Sequence, residues 1–474
     1  MQIKKKKTAY LVGIKGIAMT ALAVYLVEKG FDVTGSDIDE HFPTDPVLEK
    51  LKIKIKRGFK PDNLGQRKYD YVVVTGAHGG MTNPEAQQAK KNKLSVYMHG
   101  QFIGELMKGK TGISVAGCHG KTTTSSLIAT VMTLAGFDPS YLIGTAQING
   151  LGPAGHFGKG DYFIAEADEY MTCPITDSTP RFLWQSPKFL VITNIEYDHP
   201  DAYRNIDKVK EAFRKFAMKI PRNGLVISCV DNENAMDTLK NIPADVMTYG
   251  FSPLADYQIT KHYFGDGVSF MRVKSHGLDL GEFMLKVPGK HNLLNALATA
   301  IVANQTGIGW EKIKELLKHY VGSKRRFEKL SQIDKISIYD DYAHHPSEIK
   351  ATISAARQWF PEKRIIVIFQ PHTYSRTKAL FSEFARSFLE ADLAIVSEIY
   401  PSAREKFDPT VNSKQLIIEA NRQKNNVIYK RSKEEILPYL KSVVRNNDLI
   451  ITMGAGDIFT WRNDLISAIK EMQK

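Results

Sequence analysis

The sequence predicts an α/β protein in which helices cover both faces of doubly wound sheets. Segments with the apolar pattern of strands alternate with helical segments along the chain. The chain has 474 residues, more than one compact core holds, so two or three domains are expected. No internal repeat or low-complexity tract interrupts the alternation. Each segment is therefore interpreted as part of an α/β layer.

The composition indicates a cytoplasmic enzyme. Hydrophobic residues make up 43% and charged residues 24% of the chain, which is typical of soluble globular proteins. No apolar run reaches the roughly 18 residues that a membrane span needs. The basic residues Lys4 to Lys7 are not followed by the apolar stretch of a signal peptide. Cys118, Cys173 and Cys229 lack metal-ligand spacing, as expected for reduced thiols.

The net charge of +13 is compatible with nucleic-acid binding and equally with a protein that handles several phosphates. The lysines are spread along the chain, and no basic stripe is interleaved with aromatic residues. We therefore expect no nucleic-acid partner, and salt-sensitive retention on DNA is the observation that would contradict this.

The first segment carries part of a dinucleotide fingerprint. A strand at Thr8 to Val12 leads into Gly13-Ile14-Lys15-Gly16-Ile17 and a helix to Glu28, and a tight turn of this kind lets backbone approach a pyrophosphate. Ser36 and Asp37 end the next strand, where they can hydrogen-bond a ribose or base, and His78 follows the strand at Tyr71 to Thr75. An NAD-dependent oxidoreductase uses the same features, but no third glycine follows in register, which disfavours NAD.

The second segment opens with a glycine-rich loop between a strand at Gly112 to Ala116 and a helix at Ser125 to Leu134. The loop reads Gly117-Cys118-His119-Gly120-Lys121-Thr122-Thr123. Its backbone N–H groups can surround phosphate oxygens, with Lys121 reaching the terminal phosphates and the Thr122 hydroxyl binding Mg²⁺. The loop is shorter than the general phosphate-loop motif, so a glycine-rich turn with a chance Gly-Lys-Thr is the alternative.

Acidic residues end two further strands of the second segment. Glu166, Asp168 and Glu169 end one, and Asp198 and His199 follow the other. One or two such oxygens suffice for Mg²⁺, and surface acids in a polar loop are the alternative.

A later helix of this segment starts at Val287 to Ala296 with His291, Asn292 and Asn295. These residues suit a base or ribose edge, although a capped core helix would have the same pattern.

The third segment begins near Lys324, and its strands are expected at Ile336 to Tyr339, Ile365 to Phe369, Leu393 to Val396 and Leu449 to Thr452. Arg326, at the junction, can neutralise a γ-phosphate when domains close, and Asp341 can hold the ribose. His344 and His345 are adjacent, but no further ligand has zinc spacing. His372 and Arg376 are candidates for binding an amino-acid carboxylate, because arginine offers a bidentate fork.

Several motifs together resemble the Mur ligase family, and the resemblance runs from Gly13 to Asp457. Gly117 to Thr122 resembles its ATP loop, with Cys118 in place of the usual Thr. The other motifs are Glu166-Ala167-Asp168-Glu169, Thr193-Asn194-Ile195-Glu196-Tyr197-Asp198-His199, Arg325-Arg326-Phe327, Asp340 to Glu348, Phe369 to Thr377, Glu398 to Glu405 and Met453 to Ile458.

The resemblance implies three domains and an ATP-dependent ligation. The domains are a Rossmann-like UDP-sugar domain at 1–108, a P-loop ATP domain with a mixed or parallel sheet at 109–322, and a Rossmann-like amino-acid domain at 323–474. The reaction joins L-alanine to the lactyl carboxylate of UDP-N-acetylmuramate through an acyl-phosphate, with ATP as co-substrate and Mg²⁺ as cofactor, in peptidoglycan precursor synthesis. A monomer or weak dimer is expected, with no membrane partner.

The resemblance also assigns residues to ligands. The ATP-binding positions are Gly117, Cys118, His119, Gly120, Lys121, Thr122, Thr123, His291, Asn292, Asn295, Arg326 and Asp341. The sugar-nucleotide positions are Gly13, Ile14, Gly16, Ile17, Ser36, Asp37 and His78, and the amino-acid positions are His345, His372 and Arg376. The metal ligands are Thr122, Glu166 and His199, and the catalytic residues are Lys121, His199 and Arg326.

Two rival functions stay open at this point. The stretch Tyr170 to Pro187 is longer than in alanine-adding members and is closer to the ligase that attaches a whole tripeptide to UDP-N-acetylmuramate. A non-catalytic nucleotide-binding module would use the same glycine loops. Turnover with L-alanine against the tripeptide separates the first rival, and absence of ATP conversion would favour the second.

Overall fold

The computed structural model describes residues 6–265, 267–401 and 405–472. Ser402, Ala403 and Arg404, which belong to the Glu398 to Glu405 motif, lie outside the described residues, as do Lys4 and Lys5 of the basic stretch. The α/β class is confirmed, since three sheets of mainly parallel strands contain five, ten and six strands.

The first sheet is entirely parallel, with strand order β3-β2-β1-β4-β5. Its strands are β1 (Thr8–Val12), β2 (Asp32–Asp37), β3 (Lys54–Arg57), β4 (Tyr71–Val74) and β5 (Val96–Met98). Its helices are α1 (Ile17–Glu28), α2 (Asp45–Lys50), α3 (Pro84–Lys91) and α4 (His99–Met107). Because β1 lies between β2 and β4, the loops after these three strands meet at one edge, where such sheets bind ligands.

The central sheet has strand order β17-β16-β15-β14-β13-β12-β6-β9-β7-β8 and is antiparallel only at its two ends. Its strands are β6 (Thr111–Ala116), β7 (Ser140–Ile148), β8 (Gly152–His156), β9 (Tyr162–Ala167), β12 (Phe189–Ile192), β13 (Leu225–Cys229), β14 (Asp245–Gly250), β15 (Tyr257–Gly265), β16 (Val268–Ser275) and β17 (Leu278–Leu285). A separate hairpin pairs β10 (Met171–Cys173) with β11 (Asp177–Pro180).

Helices of the central region cover both faces of this sheet. They are α5 (Lys121–Leu134), α6 (Ile206–Ala217), α7 (Glu233–Thr238), α8 (Lys290–Gln305) and α9 (Trp310–Leu317). The helix α5 carries an almost continuous buried run and packs against α8, so the helix that follows the phosphate loop is held firmly inside the core.

The third sheet has strand order β18-β19-β23-β20-β21-β22, and only the β18–β19 pair is antiparallel. Its strands are β18 (Glu328–Ile333), β19 (Ile336–Asp341), β20 (Arg364–Phe369), β21 (Leu393–Val396), β22 (Val427–Tyr429) and β23 (Asp448–Met453). Its helices are α10 (Pro346–Trp359), α11 (Tyr374–Ala379), α12 (Phe381–Ala385), α13 (Ser413–Asn421), α14 (Lys433–Val443) and α15 (Arg462–Met472).

The first sheet is docked on the central one through α1, which packs against β7 and β8. A Cβ atom at Gly155 would overlap the backbone oxygen of Ala21, so the two backbones are in close contact there. His156 lies between Glu28 and Asp138, with Nδ1 2.7 Å from Glu28 Oε2 and Nε2 3.1 Å from Asp138 Oδ1. A close backbone contact and a charged cluster therefore join these two regions.

The predicted elements are correct in kind, and several differ in extent. The helix after the phosphate loop begins at Lys121 and not at Ser125, β4 ends at Val74 and not at Thr75, and β19 continues to Asp341 beyond the predicted end at Tyr339. The domain boundaries at 108/109 and 322/323 stay predictions. Among the described residues, no helix is both long and apolar enough to cross a membrane.

Candidate active site

The phosphate loop connects β6 to α5 and depends on two glycines. Gly117 and Gly120 have φ values of 141° and 82°, which side chains of L-residues rarely allow. A Cβ atom at Gly117 would overlap the Thr193 hydroxyl, and one at Gly120 would press on the Asn295 amide. The loop is therefore closely surrounded, and the positive end of α5 faces the cavity that it lines.

Lys121 is held inside this loop. Its Nζ donates to the Gly117 carbonyl at 2.5 Å, to the Cys118 carbonyl at 3.3 Å and to Glu169 Oε2 at 2.8 Å. Burial disfavours the charged amine, but Glu169 raises the pKa of Lys121, so it stays a cation. Glu169 itself is 1% exposed, which makes this a buried ion pair.

Thr122, Glu166 and Arg326 form a second group at the mouth of the loop. The Thr122 hydroxyl donates to Glu166 Oε1 at 3.2 Å, and the backbone N–H of Gly144 donates to Glu166 Oε2 at 2.8 Å. Arg326 Nη2 donates to the Thr122 oxygen at 3.2 Å. Burial raises the pKa of Glu166 more than its neighbours lower it. The hydrogen-bond donors of this carboxylate are a hydroxyl and an N–H, and Lys121 and Arg326 act on it from farther away, which suits a site for a divalent cation.

The predicted metal ligand His199 lies in a further group, with Glu169 and Asp198. Its Nε2 is 3.6 Å from Glu169 Oε1 and 3.7 Å from Asp198 Oδ2. One ligand atom from each of the three residues falls within 4.8 Å of the others. Glu169 links His199 to Lys121, because its carboxylate contacts both side chains. One cavity of about 780 Å³ is lined by His199, Lys121, Glu166 and Thr122.

An adjoining cavity of about 200 Å³ is lined by most of the predicted ATP-binding residues. Its lining includes the positions His119, Gly120, Thr123, His291, Asn292, Asn295, Arg326 and Asp341. The Asn292 amide donates to the Pro288 carbonyl at 2.7 Å, and Asn295 donates to Asn292 Oδ1 at 3.1 Å. Part of their hydrogen-bonding capacity thus serves the start of α8.

Asp341 is held by two backbone donors, the N–H groups of Phe327 and Ala343, each at 2.7 Å. Burial raises the pKa of Asp341 to about 6, against an ordinary value of 3.8. Burial also lowers the pKa of His291 to about 4, so that imidazole is neutral at neutral pH.

The predicted sugar-nucleotide residues surround the edge of the first sheet. Gly13 has φ 79° and accepts a hydrogen bond from the Gly16 N–H at 3.3 Å, which closes the turn before α1. The Ile14 side chain is fully buried, so that position offers only its backbone to a ligand. Ile17 lines the large cavity.

Beneath that turn, polar side chains at the strand ends are already engaged. The backbone N–H of Lys15 donates to Asp37 at 2.7 Å, and His78 Nε2 lies 3.9 Å from Asp37. The Ser36 hydroxyl donates to the fully buried Glu85. Ser36 and Asp37 therefore have structural partners beneath the predicted ligand site.

The predicted amino-acid residues contact the loop that carries His199. Arg376 is buried and donates from Nε to Asp198 Oδ1 at 3.0 Å and from Nη1 to the His372 carbonyl at 2.8 Å. His345 caps α10, since its Nδ1 accepts from the Ser347 N–H at 3.3 Å, and its Nε2 is 3.3 Å from the Tyr197 carbonyl. Of these three, none lines the large cavity, which is lined by Tyr342 and His344 instead.

Among the residues that line the large cavity, Arg181 and Glu348 received no role from the sequence, although Glu348 ends the Asp340 to Glu348 motif. Arg181 lies in the long stretch from Tyr170 to Pro187 and forms an ion pair with Asp168 at 2.7 Å. Glu348 is the third residue of a helix whose N-cap is His345, and a capping pattern of this kind is visible in sequence. That pattern identifies a cap but not a charged contact with the phosphate loop.

Three family descriptions match the chain in succession. Residues 8–111 match "Mur ligase family, catalytic domain", residues 115–303 match "Mur ligase middle domain", and residues 325–456 match "Mur ligase, glutamate ligase domain". Together they cover the three sheets described above.

Relatives and solved structures agree with these matches. The chain is 41% identical to a UDP-N-acetylmuramate–L-alanine ligase of Desulfitobacterium hafniense, over 96% of this chain and 99% of the relative. It is 40% identical to the enzyme of that name from Caldanaerobacter subterraneus, over 97% of each. The crystal structure of the UDP-N-acetylmuramate-alanine ligase of Thermotoga maritima is similar with a TM-score of 0.80 and 27% identity, covering 98% of this chain and 99% of that one.

A murein peptide ligase of Psychrobacter arcticus is similar with a TM-score of 0.73 and 25% identity, covering 98% of this chain and 99% of that one. The identity over almost the full length, together with the phosphate loop and the acidic groups beside it, leads to one conclusion: this chain belongs to the Mur ligase family.

Proposed function

We propose that this chain is an ATP-dependent ligase that joins L-alanine to the lactyl carboxylate of UDP-N-acetylmuramate. One observation carries the proposal: a single cavity is lined by residues from distant parts of the chain. They are Ile17 at the sugar-nucleotide turn, Lys121, Thr122, Glu166 and Arg326. A ligase of this kind must bring a nucleotide triphosphate and an acid-bearing sugar nucleotide to one place. The L-alanine ligases to which this chain is similar give the identity of the substrates.

In the proposed reaction, the lactyl carboxylate attacks the γ-phosphorus of ATP, the bond to the β-phosphate oxygen breaks, and ADP leaves. The amine of L-alanine then attacks the acyl carbon of the acyl-phosphate, and inorganic phosphate leaves as the amide forms. The protein contributes mainly position and charge neutralisation. Lys121 and Arg326 supply positive charge at the terminal phosphates, and the N–H groups at the start of α5 receive phosphate oxygens.

The residues present fit a bound Mg²⁺. Glu166 is a partly buried carboxylate whose near partners are a hydroxyl and an N–H, and its oxygen lies beside the Thr122 hydroxyl. Hard oxygen ligands of this type suit Mg²⁺, with phosphate oxygens and water completing the coordination. The Glu169, Asp198 and His199 group offers a second set of ligands close by. When bound, Mg²⁺ neutralises charge on the phosphates and polarises them.

The remaining assignments complete the proposal. Residues 1–108 hold the sugar nucleotide through the Gly13 turn and the strand ends at Ser36 and Asp37. Residues 109–322 hold ATP, whose base and ribose occupy the smaller cavity beside His291 and Asp341. Residues 323–474 receive the amino acid, with Arg376 and His372 near its carboxylate.

The rival functions are less well supported. The relatives at 40% and 41% identity are both L-alanine ligases, whereas the similarity to a murein peptide ligase is at 25% identity. A nicotinamide-dependent oxidoreductase has no support among the matches described. A panel of L-alanine, L-serine, glycine and the tripeptide, with ATP, Mg²⁺ and UDP-N-acetylmuramate, tests the proposal by phosphate release. We expect the largest kcat/KM with L-alanine, and a preference for the tripeptide would overturn this assignment.

A further inference from the structure

One carboxylate, Glu348, contacts both the phosphate loop and the arginine that enters from the third region. Its Oε1 lies 3.4 Å from His119 Nδ1 and 3.7 Å from Arg326 Nη1. His119 belongs to the loop between β6 and α5, whereas Glu348 is on α10. A single side chain therefore joins the loop that receives phosphates to the cation that faces them.

The other oxygen of Glu348 has a separate task. Oε2 accepts hydrogen bonds from the backbone N–H groups of His344 at 3.1 Å and His345 at 3.3 Å, which closes a capping box at the start of α10. The cap fixes the side chain, so Oε1 is presented to His119 and Arg326 in one orientation. Oε2 also lies 3.2 Å from His344 Nδ1, so this oxygen serves the start of α10, whereas Oε1 faces His119 and Arg326.

Glu348 Oε1 and the groups around it are charged and only slightly exposed to solvent. The Glu348 side chain is 11% exposed, so solvent screens these contacts weakly. Burial opposes charge on His119, but Glu348 and Glu196 raise the pKa of that imidazole to about 10, which makes it a cation at neutral pH. Burial also opposes ionisation of Glu348, yet His344, His119 and Arg326 hold its pKa well below the usual range.

The cluster is an ion-pair network and does not have the character of a metal site. His119, Glu196 and His345 are close enough to hold an ion. However, Glu196 Oε2 already accepts from the Ser347 hydroxyl at 2.6 Å, and both nitrogens of His345 have hydrogen-bond partners. Each ring nitrogen of His119 faces a carboxylate, Nδ1 at 3.4 Å from Glu348 and Nε2 at 3.5 Å from Glu196.

We propose that Glu348 is a positioning residue that holds His119 and Arg326 in the orientation that receives the terminal phosphates of ATP. The contact of Oε1 with His119 exists only while α10 is docked on the phosphate loop, so Glu348 makes the nucleotide site complete in the docked arrangement. Arg326 is kept with Nη1 toward Glu348 while Nη2 faces Thr122. This inference rests on the proposed function.

The substitution Glu348→Gln separates the two tasks. The amide oxygen of glutamine can still accept the capping hydrogen bonds, while its NH₂ group faces His119 and Arg326 and repels them. Glu435→Gln is the matched control, because Glu435 is also the third residue of a helix and accepts from the Arg431 N–H at 2.9 Å, far from the cavities described. Both variants are made in the full chain and measured with ATP, Mg²⁺, UDP-N-acetylmuramate and L-alanine.

We expect Glu348→Gln to lower kcat/KM for ATP about 10- to 100-fold, as for loss of a charge-assisted contact. KM for UDP-N-acetylmuramate should stay within about twofold and Tm within about 2 °C, with Glu435→Gln unchanged in all respects. In combination with His119→Asn the losses should be less than multiplicative, since both remove the same contact. Unchanged kcat/KM for ATP would overturn the proposal, and so would equal losses for all three substrates with a lowered Tm.

Calorimetric titration with a non-hydrolysable ATP analogue separates this inference from the proposed function. If the wild-type protein releases no phosphate from the full substrate mixture, the proposed function fails. The inference is then tested by the affinity for the analogue alone: the wild-type protein must bind it about tenfold or more tightly than Glu348→Gln. Equal affinity in the two proteins would overturn it.

Discussion

Replacement of Lys121 by methionine should have two consequences that can be measured separately. Methionine keeps the length of the side chain but removes the charge that faces Glu169 at 2.8 Å. Glu169 is 1% exposed, so the substitution leaves a buried carboxylate without its main partner. Breaking a buried pair in this way costs about 3–5 kcal/mol. His199 Nε2, at 3.6 Å from the same carboxylate, compensates in part and favours the lower end of that range.

The expected loss of stability is large enough to be seen by thermal denaturation. A loss of 1 kcal/mol corresponds to about 2–4 °C in Tm for a domain of 150–250 residues. A loss of about 3 kcal/mol therefore lowers Tm by roughly 6–12 °C. The double variant Lys121→Met with Glu169→Gln should recover most of this difference, because no unpaired charge remains.

Activity should behave differently from stability. Both the single and the double variant should lose about 10²–10³-fold or more in kcat, since the cation that faces the terminal phosphates is absent from each. Phosphate release below the Tm of each variant is the assay. A double variant that regains both stability and activity would show that Lys121 serves only the ion pair, and an unchanged Tm in the single variant would refute the reasoning about Glu169.

Three further outcomes are expected. Burial raises the pKa of Asp341 to about 6, so the proposed ribose acceptor is protonated as pH falls through 6. KM for ATP should therefore rise below pH 6, and Asp341→Asn should abolish this pH dependence. The raised pKa also means that the free energy of unfolding decreases as pH rises through 6. Arg376→Lys should raise KM for L-alanine about tenfold without changing KM for ATP, because lysine lacks the planar fork; equal changes in both would count against this role. Gly155→Ala should cost about 1–3 kcal/mol by forcing a Cβ atom against the Ala21 oxygen, whereas Gly265→Ala, with open space around it, serves as the control in thermal denaturation.

The strands and their order of appearance were predictable because buried parallel strands are continuous apolar runs, such as Ile365 to Phe369. The start of α5 was placed four residues late for a physical reason. Lys121, Thr122 and Thr123 are polar and were read as loop, yet all three lie in the helix, where backbone N–H groups are free to receive phosphates. Because phosphate binding requires polar residues in the first turn of α5, the apolar pattern that predicts a helix is absent there.

Within the site, sequence identified the residues but not how they are grouped. Thr122 and Glu166 are in contact, and His199, the third predicted metal ligand, faces Glu169 and Asp198. Which carboxylate of a cluster faces which partner depends on strand pairing and on where each strand ends, here β9 beside β6. Spacing along the chain contains no such information, and the same holds for Glu348, which the sequence gives only as the end of the Asp340 to Glu348 motif.

The length of the stretch from Tyr170 to Pro187 is the feature that kept the tripeptide ligase as a rival, and the structure shows what this stretch contacts. Its hairpin lies against the loop after β4: a Cβ atom at Gly76 would overlap the backbone oxygen of Thr172. Trp184 donates to the Thr172 hydroxyl at 2.9 Å, and its carbonyl fills the space beside Gly104 on α4. These contacts join the central region to the first sheet.

The residues proposed to bind the incoming amine lie elsewhere, on the third region around Arg376. The hairpin thus contacts the first region, whereas the proposed amino-acid residues lie outside it. On the proposed assignment, the length of this stretch affects the contact between the first two regions, and the third region chooses between L-alanine and a tripeptide. Shortening the hairpin should accordingly alter KM for UDP-N-acetylmuramate and leave the order of preference among amine substrates unchanged.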